Sequence, residues 1–204
     1  KGASAIISDK NIKYKKYKIP VISVKNVREK LAEASSKFFK RKPRNILAVT
    51  GTNGKSSVAD FFYQILSLNN LPVASIGTLG ILSKKYKKKT NLTTLDPLTL
   101  HKNLEILKKK NINNVILEAS SHGLDQNRID NINIKVGIFT NLSHDHLDYH
   151  KNMGDYLNSK LLLFKSLIKK NGSVITDTDI KQYSIIKKIQ KKRKLKILTI
   201  GSKS

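Results

Sequence analysis

The sequence predicts an α/β fold in which a mostly parallel sheet carries helices on both faces. Two observations carry this. Apolar strand-like runs alternate with helical stretches from Ile46 onward, and a glycine-rich loop, "TGTNGKSS" at 50–57, joins the first of these runs to the helix that follows. Ligands of such sheets bind beyond the carboxyl ends of the strands, so the residues just after each run become the candidate site.

Residues 1–45 stand outside this rhythm. "SAIISD" and "PVISV" read as short strands, and Val27 to Phe39 as a helix leading through "KRKPRN" into the main sheet. They are expected to be the end of a preceding domain plus a connector, with a second unit over 46–204. In that unit "NILAVT" reads as a buried strand. Ser56 to Leu68 reads as a helix with Val58, Phe61, Phe62, Ile65 and Leu66 on one face. "PVASIG" is a strand, followed by a lysine-rich turn. Asp96-Pro97 starts a helix through about Lys110, with aspartate suited to the cap and proline to the first turn. "NNVILEAS" and "VGIFTNL" are strands, Met153 to Ile168 a helix, and "GSVIT", Ile180 to Gln190 and "LKILTI" a strand, a helix and a strand. No internal repeat is visible.

The 204 residues carry a formal net charge of +26, nearly all of the excess being lysine; Arg28, Arg41, Arg44, Arg128 and Arg193 are the only arginines. Lysine is spread through "KYKKYK", "KKYKKK", "LKKKN" and "IQKKRKLK". With no recognised nucleic-acid-binding module, this reads as solvated faces, and nucleic acid is not an expected partner. There is no cysteine, which points to a reducing compartment. No run reaches the roughly 18 to 20 apolar residues of a membrane span. The expectation is a cytoplasmic protein without membrane insertion. Because the chain opens on Lys1 and stops just after a strand-like run, it also reads as a piece of something longer.

The loop at 50–57 has the ingredients of a phosphate site. Gly51 and Gly54 free backbone N–H groups to converge on an anion, Lys55 neutralises it, and Ser56 offers magnesium a hydroxyl. The standard GxxxxGK[ST] pattern would place glycine at Val49, so the match is to a shortened form, and an ordinary turn remains open on the motif alone. "VILE" ends on Glu118, at the strand tip beside Ser120, Ser121 and His122; after "GIFT" come Asn141, Asp145, His146, Asp148 and His150. A carboxylate and an imidazole from neighbouring strand tips could ligate a metal beside the loop. Oxygen-rich magnesium chemistry with a triphosphate suits these residues better than zinc on His144, His146 and His150. Glu118 has the duller alternative of capping a strand or pairing with a lysine.

In this order and spacing, "TGTNGKSS", "LTTLDPLTLH", "LEASSHGLDQNRI", "FTNLSHDHLDYH" and "YLNSKLLLF" resemble the central domain of the Mur ligases. Within them the resemblance is to the MurE branch, which adds the third amino acid of the peptidoglycan stem peptide. It covers roughly Ile46 to Ser204. Residues 1–45 then match the end of a uridine-nucleotide-binding domain, and a C-terminal ligase domain is not represented. The resemblance implies an ATP- and Mg2+-dependent amide ligase, expected to be monomeric, acting on UDP-N-acetylmuramoyl-L-alanyl-D-glutamate and an amino acid, diaminopimelate or lysine. It implies that Gly51, Thr52, Asn53, Gly54, Lys55, Ser56 and Ser57 hold ATP phosphates, and that Ser56, Glu118 and His146 hold magnesium. Thr93, Thr94, Ser120, Gln126 and Arg128 would contact the muramoyl peptide. Lys160 would be carbamoylated and would act with Lys55 and His146 in catalysis. Departures from the family pattern are Leu92 and Leu95 around the paired threonines, Ser56-Ser57 where threonines are usual, and His144 where arginine is common. A folylpolyglutamate synthase-like ligase of the same superfamily is the alternative, and a P-loop NTPase acting on nucleic acid a more distant one.

Overall fold

In the computed structural model, which describes residues 2–9 and 19–202, the run Asn45–Thr50 forms β3 near the middle of a seven-stranded sheet. The tract "KYKKYK" lies outside the described residues. Before β3 come β1 (Ile6–Asp9) and β2 (Val21–Val24), which pair parallel as a separate two-stranded sheet, and α1 (Val27–Phe38). After it follow α2 (Lys55–Leu68), β4 (Val73–Gly77), β5 (Gly80–Ser83), α3 (Pro97–Lys109), β6 (Asn114–Glu118), the short α4 (Ser121–Asp125) and β7 (Ile134–Phe139). The chain continues through α5 (Met153–Leu162), a π-helical turn (Leu163–Leu167), β8 (Ile168–Asp177), α6 (Tyr183–Arg193) and β9 (Lys196–Ile200). The sheet order is β5-β4-β6-β3-β7-β8-β9, and every pair is parallel except β4 with β5.

The two-faced burial of the inner strands follows from strand alternation. On β3, Ile46 and Ala48 enter the larger core, while Leu47 and Val49 enter a smaller one with Ala59, Val58 and Phe62 of α2. On β6, Val115 and Leu117 join the first core and Ile116 the second. Leu100, Leu104 and Leu107 of α3 and Ile186 of α6 belong to the larger core. Helices therefore cover both faces, as the alternation predicts. That arrangement leaves the parallel strand tips as the open edge where loops can carry polar groups.

Three boundaries differ from expectation. The lysine-rich turn begins with an antiparallel strand, β5, which folds back on β4, and Lys88 pairs with Ile81 beyond it. The helix expected to reach Ile168 ends as α5 at Leu162, because Ile168 is already in the sheet opposite Ile134. Its side chain occupies the space above Gly137, where an added Cβ would lie 2.6 Å from Ile168 Cδ1. The helix expected over 180–190 runs from Tyr183 to Arg193. Arg193 anchors its last turn by donating to the carbonyls of Phe164 at 2.9 Å and Ile168 at 2.7 Å. Among the described residues no helix is long and apolar enough to cross a membrane.

Candidate active site

The loop between β3 and α2 is built by its glycines. Gly51 packs so closely on the next strand tip that an added Cβ would lie 1.9 Å from Thr140 Oγ1. Gly54 sits at the α2 N-cap with φ 81°, a left-handed conformation that costs glycine little. The loop is tied to the segment after β7. Thr52 N–H donates to the Asn141 carbonyl at 3.0 Å, Asn53 N–H to Asn141 Oδ1 at 3.0 Å, and Thr140 Oγ1 to the Asn53 carbonyl at 2.7 Å. The N-terminus of α2 is thereby aimed at an open cavity of about 520 Å³.

That cavity collects the strand-tip residues. Ser56 Oγ donates to Glu118 Oε2 at 2.8 Å, Thr78 Oγ1 donates to the same oxygen at 3.2 Å, and Thr78 N–H donates to Glu118 Oε1 at 2.9 Å. Glu118 is 3% exposed and paired with hydroxyls and the Thr78 amide just past β4, not with a surface lysine, so of the duller readings the lysine pair is absent and the strand-capping contact is present. Thr94 Oγ1 donates to the Glu118 carbonyl at 2.8 Å and lies 3.0 Å from Ser120 Oγ, so the paired threonines are docked on the tip of β6.

Two lysines converge on one carbonyl. Lys55 Nζ donates to the carbonyls of Gly51 at 3.0 Å and Thr52 at 2.8 Å, and Lys160 Nζ donates to Gly51 at 2.7 Å. Burial lowers the Lys55 pKa, partly offset by Glu118 and Asp145. Lys160, 1% exposed on α5 and 4.4 Å from the Tyr156 ring centroid, is pushed down to about 7, first by burial and then by the charge of Lys55. A substantial fraction of its amine is therefore neutral near physiological pH.

Of the residues to which the resemblance assigns a role, all but Gly51 and Gln126 line this one cavity; of the other strand-tip residues Ser121 and His122 line it, whereas Asn141, Asp145, Asp148 and His150 do not. Gly51 offers its carbonyl from below. Gln126 stands behind Arg128, its Oε1 accepting from Arg128 Nη2 at 2.6 Å and Nε at 3.1 Å, while Arg128 Nη1 donates to the Thr94 carbonyl at 2.8 Å. Thr78 and Asn91 also line the cavity and were not singled out as site residues. Thr78 follows β4, and the rule that strand tips carry the site would have found it. His122 sits between the loops, its ring centroid 5.1 Å from that of His146 and 4.0 Å from that of Tyr149, and burial lowers its pKa.

Among the described residues no group of three His, Cys, Asp or Glu side chains is arranged to hold an ion. The oxygen donors at the loop fit magnesium. A buried carboxylate and a serine hydroxyl, 2.8 Å apart at a helix N-terminus, suit a hard cation that takes its remaining oxygens from phosphate and water. His146, in the same cavity with φ 52°, would add an imidazole from the β7 side.

A family described as the Mur ligase middle domain matches residues 49–204. A UDP-N-acetylmuramoyl-L-alanyl-D-glutamate–2,6-diaminopimelate ligase of Bradyrhizobium diazoefficiens is 41% identical over 184 residues, which is 90% of this chain and 38% of that protein. The solved structure of a ligase of the same name superposes with a TM-score of 0.81 at 28% identity, over 98% of this chain and 40% of the other. A solved FPGS-AMPPCP complex shares the fold at a TM-score of 0.64 and 14% identity, over 85% of this chain and 50% of the other. The chain thus spans about two fifths of the length of the diaminopimelate ligases it matches. With loop, strand tips and helices in the expected order and the middle-domain match running from Val49 to the last residue, this chain belongs to the Mur ligase family.

Proposed function

We propose that this chain supplies the ATP-binding centre of an amide ligase that adds the third amino acid, diaminopimelate or lysine, to UDP-N-acetylmuramoyl-L-alanyl-D-glutamate in the cytoplasm. The observation that carries this reading is the continuity of one cavity from the phosphate loop, through the Ser56–Glu118 pair, to Thr94 and Arg128. Nucleotide and acceptor substrate would meet over the tip of β6.

In the reaction, the substrate's glutamate carboxylate takes the terminal phosphoryl group of ATP, and the incoming amine then displaces phosphate to form the amide. Two anions must approach each other, so the protein's main task is charge neutralisation and alignment. Residues 51–57 would wrap the phosphates, with Lys55 leaving the Gly51 and Thr52 carbonyls for the outer phosphate. Ser56, Glu118 and His146 would hold magnesium, which when bound spreads the negative charge of the phosphates. Arg128 and the threonines would hold the muramoyl peptide.

Lys160 would act as a carbamate. Its neutral amine nitrogen attacks the carbon of CO2, an N–C bond forms, and one proton leaves to solvent, converting a neutral amine into an anionic carbamate whose oxygens could support the metal site. Mass spectrometry under carbamate-preserving conditions should find the modification, and unmodified yet fully active enzyme would exclude it.

The deciding assay supplies ATP, magnesium and the muramoyl dipeptide nucleotide with diaminopimelate or lysine to the longest polypeptide that the reading frame encodes. Amide formation that requires the muramoyl nucleotide is the expected result. Glutamate addition to a folate in its place would establish the folylpolyglutamate-type alternative. The 204-residue chain by itself is expected to bind nucleotide yet turn over far more slowly.

A further inference from the structure

The segments after β6 and β7 are joined by a side-chain chain of hydrogen bonds that ends on Arg128. Tyr149, 38% exposed in the segment after β7, donates its hydroxyl proton to Asp125 Oδ2 at 2.7 Å. With that proton committed to a carboxylate, the phenol oxygen can only accept from its other neighbour. It accepts from Gln126 Nε2 at 3.1 Å.

A glutamine amide has a donor end and an acceptor end. Once Nε2 is fixed on Tyr149, Oε1 must face the other way, and there it takes both Nε and Nη2 of Arg128. The guanidinium is held on its third nitrogen by the Thr94 carbonyl. Backbone bonds hold the turn beneath: Gln126 N–H donates to the His122 carbonyl and Arg128 N–H to that of Gly123, both at 2.9 Å. The backbone therefore sets where Arg128 sits, and the side-chain chain sets how its fork is turned.

We propose that Tyr149 is a positioning residue for the acceptor-substrate site: its hydroxyl selects the orientation of the Gln126 amide and so presents Arg128 to an anionic group of the bound peptide. This rests on the ligase reading for the identity of the substrate. The hydrogen-bond logic itself does not depend on that reading. Without the phenol oxygen, Gln126 Nε2 loses its acceptor, and the guanidinium alone is left to favour this orientation. In the flipped state its amide hydrogens would confront the guanidinium's own donors.

Tyr149→Phe tests the hydroxyl alone, because the ring that lies against His122 is retained. In the full-length ligase this variant should raise the KM for the muramoyl dipeptide nucleotide about tenfold, the scale of one charge-assisted hydrogen bond, and leave kcat and the KM for ATP within roughly twofold. An unchanged muramoyl KM, or an equal rise in the KM for ATP, would overturn the proposal. Placing Tyr149→Phe on an Arg128→Lys background should add little, since lysine has no fork to orient, and full additivity would equally count against it. If the wild-type enzyme does not use the muramoyl nucleotide, the ligase reading fails separately. The NMR signal of Arg128 Nε–H then decides: faster solvent exchange in Tyr149→Phe supports the orienting role, and unchanged exchange ends it.

Discussion

Two groups of lysines in this chain meet opposite environments. At the tip of β3, Lys55 and Lys160 are largely removed from water and donate to the same Gly51 carbonyl. Along α6, Lys187, Lys188, Lys191 and Lys192 stand in solvent, and none belongs to an ion pair among the described residues. The net charge of +26 weighs all of them equally. Free energy does not: desolvation makes the first pair costly and therefore responsive to an incoming anion, while water already satisfies the second group. The difference locates chemistry by burial, and it can be pushed from both sides.

The largest effect is expected at Lys55. Its ammonium donates to two neutral loop carbonyls, so a triphosphate offers it a far better partner. Lys55→Ala should weaken ATP binding at least about a hundredfold, the range of a buried charge-assisted contact. Calorimetric titration giving unchanged affinity would show that the loop does not hold phosphate.

Lys160 should reveal itself through the pH dependence of stability. Its folded pKa of about 7 lies below the ordinary lysine value of 10.5. Between those values the unfolded chain binds more protons than the folded one, so this group makes stability rise with pH across that window. In metal-free, CO2-free buffer, wild type should gain about 2 kcal/mol relative to Lys160→Met between about pH 7.5 and 9.5. The histidines with lowered pKa, His101 (about 4), His122 and His150, contribute with the same sign at lower pH, which is why the comparison is made above neutrality. Parallel stability curves for the two proteins would mean that Lys160 is not desolvated.

The same contrast governs what the sequence could reveal. Thr93, Thr94, Gln126 and Arg128 entered only through the resemblance, while the motifs at 50–57, 118–122 and 146 are short and lie just after apolar runs, so strand order alone brings them to one edge and the cavity was legible to that extent. Lys160 was not, because nothing local distinguishes it from the many solvated helix lysines; only the resemblance singled it out. β5 was missed because its four residues precede a run of lysines that outweighs them in any local reading. The early end of α5 depends on Ile168 filling the space above Gly137, a contact 31 residues apart in the chain that local helix periodicity does not encode.

A smaller effect is expected where the buried carboxylate meets the backbone. Gly77 has no room for a side chain, since an added Cβ would lie 2.0 Å from Glu118 Oε1 and 2.6 Å from its Cγ. Gly77→Ala must therefore displace Glu118 from Ser56 and Thr78. Magnesium-dependent nucleotide affinity should fall about tenfold, the worth of one misplaced oxygen ligand, with affinity in EDTA nearly unchanged. Equal losses with and without magnesium would show that the substitution disturbs the loop as a whole and not the carboxylate.

The smallest effect belongs to α6, and its smallness is the sharpest check on the comparison. Two opposing terms act there. Lys191 and Lys192 lie in the last turn, where the helix dipole favours cations by roughly 0.3 to 1 kcal/mol. Lys188 and Lys192 are four residues apart on one face, and such like-charge pairs cost a few tenths of a kcal/mol each. Replacing Lys188, Lys191 and Lys192 together by glutamine removes both terms, so stability should change by less than about 0.5 kcal/mol at moderate salt. Nucleotide affinity should stay within roughly twofold, because exposed charges are screened over about 8 Å at physiological ionic strength. Thermal melts and a titration with ATP at low and at physiological salt read both quantities. A loss of affinity that appears at low salt and vanishes at high salt would mean that the field of α6 reaches the phosphate cavity, and the separation between buried and solvated lysines would then be one of degree.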